Sequence, residues 1–113
     1  MSITVNKAIR DNKAAATSTT LTANTADTIA WNGQDEKICL VVAVPSAAAA
    51  DSTFTVVKGT GIRSSMGDLV LTLTKGQTHI VGPLDSMRFK NRSNGTVSIK
   101  STNADVITVI QLP

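Results

Sequence analysis

Short runs rich in valine, isoleucine, leucine and threonine make up most of this chain after its first sixteen residues, and turn-forming residues separate them. No amphipathic stretch of helical length occurs among these runs. Apolar and β-branched runs of about four to eight residues, bounded by glycine, asparagine or proline, are typical of strands. The sequence therefore predicts an all-β protein.

The candidate strands recur at short intervals along residues 17–113. They are Ser18–Ala23, Asp27–Trp31, Lys37–Val44, Thr53–Val57, Leu69–Leu73, Thr78–Val81, Ser86–Lys90, Thr96–Lys100 and Val106–Leu112. About eight short antiparallel strands with this spacing are typical of a single-domain β-sandwich or of a jelly-roll-like barrel, so we expect one of these two architectures. A chain of 113 residues has the length of one domain.

Two parts of the pattern make more specific predictions about burial and pairing. The run Lys37–Val44 is apolar at seven consecutive positions, which predicts a central strand covered on both faces. Leu69–Leu73 and Thr78–Val81 flank the dipeptide Lys75-Gly76, and together they predict a hairpin.

Alternation across residues 86–90 predicts a strand with its apolar side chains inward and its cations outward. The outward row consists of Arg88 and Lys90, and Arg92 extends it if the strand continues. Three cations on one strand face can meet phosphates or an acidic protein surface. The same row would also protect an edge strand from aggregation, so both interpretations stay open.

Charge and aromatic content make a specific nucleic-acid partner unexpected. Eleven lysines and arginines face eight acidic residues, which gives a mild formal charge of +3. All-β domains that bind single strands stack bases on aromatic side chains. Here only Trp31, Phe54 and Phe89 are present; both phenylalanines lie in apolar registers, and we expect Trp31 to be buried.

The reactive side chains favour a protein without catalytic, metal or cofactor chemistry. His79 is the only histidine, Cys39 is the only cysteine, and tyrosine is absent. A hydrolase triad needs a nucleophile, a base and an orienting carboxylate, and no motif supplies them. A structural zinc site needs about four cysteine or histidine ligands. We therefore expect no enzyme, no metal site and no cofactor.

Two further segments are interpreted as turns rather than as sites. Asp35 and Glu36 follow a predicted turn at Asn32-Gly33 and resemble a solvated corner more than a facing pair of catalytic carboxylates. The segment 59–61, Gly-Thr-Gly, lacks the third glycine and the Lys-Ser/Thr of a phosphate-binding loop.

The sequence predicts neither export nor membrane insertion. Its N-terminus lacks the long apolar region of a secretory signal, and no segment approaches the roughly 20 apolar residues that span a bilayer. The single cysteine cannot form an internal disulfide. We expect a soluble protein that is synthesised in a reducing cytoplasm.

Residues 1–16 are polar, weakly patterned and free of aromatic side chains. They predict an N-terminal arm, extended or partly disordered, or a short helix, rather than part of the core of a domain at 17–113. An arm that becomes ordered against a partner is the favoured interpretation. Lys7, Arg10 and Lys13 concentrate positive charge in it.

The order of features over residues 25–113 resembles that of the capsid decoration, or head cement, proteins of tailed bacteriophages. The resemblance is carried by the stretches 27–33 and 37–42, the corner Gly82-Pro83-Leu84, the Arg88-Phe89 segment, the Asn94-Gly95 turn and the terminal run Val106–Leu112. It is a similarity of order and style, without an invariant signature.

This resemblance implies a non-enzymatic virion structural protein that binds the outer surface of a phage capsid and stabilises or decorates it. Its partner would be the major capsid protein, with no membrane contact, and it would be a homo-oligomer, with a trimer favoured. Synthesis would take place in the host cytoplasm. The candidate capsid contacts are Ile3, Val5, Lys7, Ile9, Arg10, Lys13, Arg88, Lys90 and Arg92.

Two other classes of function stay open at this point. One is a structural module of a phage tail, tail fibre or head-completion assembly, which would form rings or tubes by itself. The other is a carbohydrate-binding adhesion sandwich, which normally lines a groove with exposed aromatic side chains; this chain has few aromatic residues.

Overall fold

Ten short strands form two sheets in the computed structural model, which describes residues 2–31 and 37–112. In chain order they are β1 (Ser2–Ile3), β2 (Val5–Lys7), β3 (Thr19–Thr20), β4 (Asp27–Ala30), β5 (Ile38–Ala43), β6 (Ser52–Val56), β7 (Leu69–Leu73), β8 (Thr78–Val81), β9 (Thr96–Ser101) and β10 (Val106–Gln111). A 3-10 turn at Ser64–Met66 and one α-helical turn, α1 (Ser86–Phe89), complete the described elements. Neither has the length or hydropathy of a membrane span.

The first sheet has the spatial order β1-β4-β9-β6-β7, and the second has the order β2-β10-β5-β8, with β3 also paired to β10. The pairings are antiparallel except for two, β1 with β4 and β2 with β10, which are parallel. Over the described residues the two sheets stay open and do not close into a barrel. The prediction of an all-β sandwich is confirmed.

The core lies between the sheets and is built by the period-2 alternation of their strands. Its buried apolar side chains include Ile38, Leu40 and Val42 of β5, Ile107 and Val109 of β10, Phe54 and Val56 of β6, and Val97 and Ile99 of β9. Trp31, directly after β4, is buried as predicted. β5 lies between β10 and β8, so the prediction of a central strand is confirmed. Its outward residues are only partly covered, so the prediction that both of its faces are covered is wrong.

The predicted hairpin between β7 and β8 is wrong. The turn at residues 75–76 is present, but β7 pairs with β6 and β8 pairs with β5, so the turn carries the chain from one sheet to the other. A short turn between two apolar runs specifies a change of direction. It does not specify which strand each run will pair with, because pairing depends on distant partners.

The predicted strand at 86–90 is also wrong, because this segment forms α1. Asp85 precedes the helical turn, and its carboxylate accepts a hydrogen bond from the backbone N–H of Met87 at 2.9 Å. This is the N-cap interaction that favours helix initiation. Phe89 is buried, as alternation had suggested, but Met87 is only half-buried. Arg88, Lys90 and Arg92 therefore do not form a row on one strand face.

The N-terminal segment is part of the sandwich up to Lys7. β1 pairs with β4, β2 pairs with β10, and the side chain of Ile3 is only 3% exposed. The prediction that this segment lies outside the core is wrong for these two strands. Strands of two and three residues are too short to show a period, so the sequence did not reveal them.

Other predictions differ from the structure in extent only. The first predicted strand, Ser18–Ala23, is reduced to the two residues of β3. The predicted turn at Asn94-Gly95 is confirmed. The predicted turn at Asn32-Gly33 and the solvated corner at Asp35 and Glu36 lie outside the described residues.

Candidate partner-binding end of the sandwich

The strand directions bring several long connections to one end of the sandwich. β4 and β6 run in the same direction because both are antiparallel to β9, and β8 runs with β2 and β10. β6 belongs to the first sheet and β8 to the second, and backbone hydrogen bonds link the connections that follow them. These connections therefore lie at the same end of the sandwich. We call the connections 8–18, 57–68 and 82–95 the basic end.

Positive charge is concentrated at the basic end. Its three connections contain seven cationic residues and three acidic ones. The cations are Arg10, Lys13, Lys58, Arg63, Arg88, Lys90 and Arg92. The connections at the opposite end, residues 21–26, 44–51, 74–77 and 102–105, contain one lysine and two aspartates. Among the connections that the structure describes in full, the two ends therefore differ in sign, although the whole chain is only mildly basic.

Two segments of the basic end lie side by side in close backbone contact. The N–H of Gly59 donates to the carbonyl of Arg88 at 2.7 Å, and the N–H of Arg63 donates to the carbonyl of Met87 at 3.0 Å. A Cβ on Gly59 would lie 2.2 Å from the carbonyl oxygen of Lys90, and one on Gly61 would lie 2.3 Å from that of Met87. Both glycines are required by this close approach, so the segment packs against the backbone of residues 87–90.

The Arg88 side chain is held by hydrogen bonds within the basic end. Its guanidinium donates to the backbone carbonyls of Gly67 at 3.0 Å and Asp68 at 3.2 Å, and it lies 4.8 Å from the centre of the Phe89 ring. These contacts join α1 to the connection that precedes β7. Of the predicted row, Arg92 is exposed, whereas Arg88 and Lys90 are half-buried.

The sequence interpretation did not identify two further exposed cations, Lys58 and Arg63. Arg63 forms a surface ion pair with Asp85 at 3.1 Å. Arg63, Asp85 and Arg88 line a cleft of about 360 Å³, together with Met66. The local sequence of residues 58–63 does not predict that they lie beside residues 87–92. The only sign of this contact in the sequence is the presence of Gly59 and Gly61, which leave room for the neighbouring backbone.

Exposed apolar side chains accompany the charge. Ile62 is 81% exposed, and Ile9 and Met66 are each more than half exposed. All three belong to the basic end. A protein surface that combines large apolar side chains with arginine is typical of binding interfaces, in which apolar anchors are surrounded by polar residues.

The predicted contacts in the N-terminal segment divide into accessible and inaccessible residues. Lys7, Arg10 and Lys13 are exposed, as is Ile9, and they lie at or beyond the end of β2. The structure thus brings the two predicted groups of cations to the same end of the molecule. Val5 and Ile3 do not belong to this surface: Val5 is partly buried opposite Val109, and the side chain of Ile3 is in the core, so the prediction of Ile3 as a contact is wrong.

The only histidine and the only cysteine of the sequence lie on two neighbouring strands of the second sheet. His79 is half-buried in β8 with its Nε2 atom 3.4 Å from the carbonyl oxygen of Thr74, and Cys39 is half-buried on the outer face of β5. Among residues 2–31 and 37–112, no three histidine, cysteine or acidic side chains are grouped so that they could hold a metal ion.

Comparison of the chain with family models, with curated proteins and with solved structures finds no match.

Proposed function

We propose that this chain is a non-enzymatic structural protein of a tailed-phage virion, which binds the outer surface of the capsid and stabilises or decorates it. The observation that carries the proposal is the basic end, where exposed cations and exposed apolar side chains share one surface. The order of features along the sequence, which resembles that of capsid decoration proteins, supplies the identity of the partner, the major capsid protein.

The charge of the basic end fits a partner surface with an excess of acidic groups. Complementary charge speeds encounter and selects the orientation in which the basic end faces the partner. Ile62 and Met66 would then supply apolar contact area beside the cations of the same end. Such an interface needs no pocket for a reacting substrate.

A capsid lattice increases the affinity of a binder of this kind. Many identical sites lie at fixed distances, so an oligomer that engages several of them gains avidity of about 10² or more over a single contact. A modest interface on each subunit is then sufficient. Backbone hydrogen bonds between residues 59–63 and 87–90 hold two of the binding loops together, which would lower the entropic cost of ordering them on binding.

Co-sedimentation with expanded capsids of the source phage tests this function. The purified chain is mixed with capsids that lack their native complement of this protein and with capsids that carry it. We expect saturable binding at a fixed copy number per capsomer only to the first, and weaker binding as the salt concentration rises because exposed charges are screened. Absence of binding would refute the capsid function. Self-assembly into rings or tubes, or retention on a glycan array, would instead support a tail module or an adhesion module.

A further inference from the structure

The cleft at the basic end combines two guanidinium groups with apolar walls. Arg63 and Arg88 line it together with Asp85. Its apolar lining residues are Met66, Leu69, Pro83, Leu84 and Phe89. The volume of about 360 Å³ lies near the lower end of the range for ligand sites, roughly 300–1,000 Å³. The cleft therefore suits one or two side chains of a partner.

The charge of Arg63 is already balanced inside the cleft. Its guanidinium forms an ion pair with one carboxylate oxygen of Asp85 at 3.1 Å. The other carboxylate oxygen of Asp85 accepts the hydrogen bond from the backbone N–H of Met87 at 2.9 Å. Both oxygens of Asp85 are therefore engaged away from Arg88.

The charge of Arg88 has no comparable partner. Its Nε and Nη2 atoms donate to the backbone carbonyls of Gly67 and Asp68, which are neutral acceptors. Within residues 2–31 and 37–112, no carboxylate forms an ion pair with it. The Asp68 carboxylate instead accepts from the backbone N–H of Lys58 at 2.8 Å. A half-buried guanidinium is thus held in place without a negative charge beside it, which is unfavourable until an anion binds.

The unused N–H groups of Arg88 are suited to a carboxylate. A guanidinium carries five N–H groups in a planar fork, and the bonds to the two backbone carbonyls use only two of them. Its two Nη atoms together match the two oxygens of a carboxylate. The guanidinium also lies 4.8 Å from the centre of the Phe89 ring. It is therefore already positioned, and little side-chain entropy is lost when an anion binds.

We propose that this cleft binds a glutamate or aspartate side chain of the partner together with an apolar side chain next to it. The carboxylate pairs with Arg88, and the apolar side chain packs against Met66 and Leu69. One carboxylate balances the one charge that has no partner. Asp85 disfavours a second negative charge, so the cleft fits a polyanion such as a nucleic acid less well. The inference rests on the proposed function for the identity of the partner.

Titration of the full chain with short blocked peptides, followed by NMR through the backbone amide shifts, tests the cleft without any capsid. The probe is the acetylated and amidated tripeptide leucine-glutamate-leucine, and its glutamine analogue is the control for charge. We expect a dissociation constant on the order of 1 mM, with the largest shifts at Met66, Leu69 and Phe89. The glutamine peptide should bind about tenfold more weakly, because it cannot form the charge-assisted pair with Arg88.

Two matched variants separate the cleft from the general charge of the basic end. Met66→Glu places a competing carboxylate on the wall of the cleft, whereas Ile62→Glu places one at the same end outside the cleft lining. We expect Met66→Glu to weaken binding of the glutamate peptide by about tenfold or more. Ile62→Glu should weaken it by less than about threefold, because the charge lies farther away and is screened. Both side chains are more than half exposed, so the fold should persist, and the amide spectrum of each variant verifies this.

Absence of peptide-induced shifts at the cleft, or equal binding of the glutamine peptide, would overturn the proposal. So would equal losses from Met66→Glu and Ile62→Glu. Tighter binding of a peptide whose only carboxylate is its C-terminus, or of a thymidine oligonucleotide, would assign the cleft to a chain end or to a nucleic acid instead. Co-sedimentation with capsids is measured separately. Peptide binding without capsid binding would refute the capsid function alone, and capsid binding without peptide binding would refute the occupant of the cleft alone.

Discussion

Replacement of Asp105 with alanine is expected to lower the free energy of unfolding by about 3 kcal/mol, a large fraction of the roughly 5–15 kcal/mol that stabilises a typical domain. The Asp105 side chain is buried in the connection between β9 and β10. Its carboxylate accepts hydrogen bonds from the hydroxyls of Ser52 at 2.7 Å and Ser101 at 2.6 Å. Alanine would leave two buried hydroxyls without these acceptors.

The hydrogen bonds around Asp105 and its neighbour Asn103 also join three connections, at the end of the sandwich opposite the basic end. The side-chain amide of Asn103 donates to the Ser52 hydroxyl at 2.9 Å and to the carbonyl of Ala50 at 3.0 Å. The backbone carbonyl of Asp105 accepts from the N–H of Leu21 at 2.8 Å. Loss of the carboxylate therefore removes the side-chain contacts that join this connection to β6 and β9 of the first sheet.

Urea unfolding monitored by Trp31 fluorescence measures this effect. Asp105→Asn keeps one acceptor oxygen and the shape of the side chain, so its loss should be smaller than that of Asp105→Ala. Asp51→Ala is the matched control at the same end, because Asp51 is exposed and accepts one hydrogen bond, from the N–H of Lys75. Equal losses for Asp105→Ala and Asp51→Ala would contradict a special role for the buried carboxylate.

Reversal of two exposed charges at the basic end is expected to weaken capsid binding by about 100-fold, which corresponds to about 2.8 kcal/mol. The variant is Lys58→Glu with Arg92→Glu, and binding is measured by co-sedimentation at low salt. Each glutamate removes an attraction and adds a repulsion toward an acidic partner, and the oligomer repeats the penalty at every site. Both side chains are exposed, so stability should change little.

The control is Lys75→Glu with Lys100→Glu, which changes the net charge of the chain by the same amount away from the basic end. We expect this variant to bind nearly as tightly as the wild type. Equal losses from both double variants would mean that the total charge, rather than its position, drives binding. An unchanged affinity for Lys58→Glu with Arg92→Glu would remove the basic end from the interface.

The sequence predicted closely the strands whose runs span four or more residues. β7 and β8 have the predicted bounds, and β4, β5, β6, β9 and β10 each lie within about one residue of theirs. β1 and β2 are too short to carry such a signal, and they are stabilised by distant strands instead.

The errors arise where a local pattern fits more than one structure. Residues 86–90 alternate as a strand would, but the capping carboxylate of Asp85 stabilises a helical turn there. The hairpin was predicted from a turn that in fact connects two sheets. Local spacing does not encode which partner a strand will find.

The basic end was predicted only in part, for a related reason. The cation groups at 7–13 and 88–92 were recognised, but their placement at one end follows from the directions of strands far apart in sequence. Lys58 and Arg63 join the surface because Gly59 and Gly61 permit a close backbone contact. In the sequence, that Gly-Thr-Gly segment predicts a turn and nothing about its neighbour.

Hydrogen–deuterium exchange of the capsid-bound protein tests most directly the claim that the basic end docks on the capsid. Bound and free protein are labelled under the same conditions, and exchange is compared peptide by peptide. We predict slower exchange on binding in residues 57–68 and 85–92, with no change in the connections 44–51 and 102–105. Protection confined to those opposite connections, with unchanged exchange at the basic end, would contradict the account.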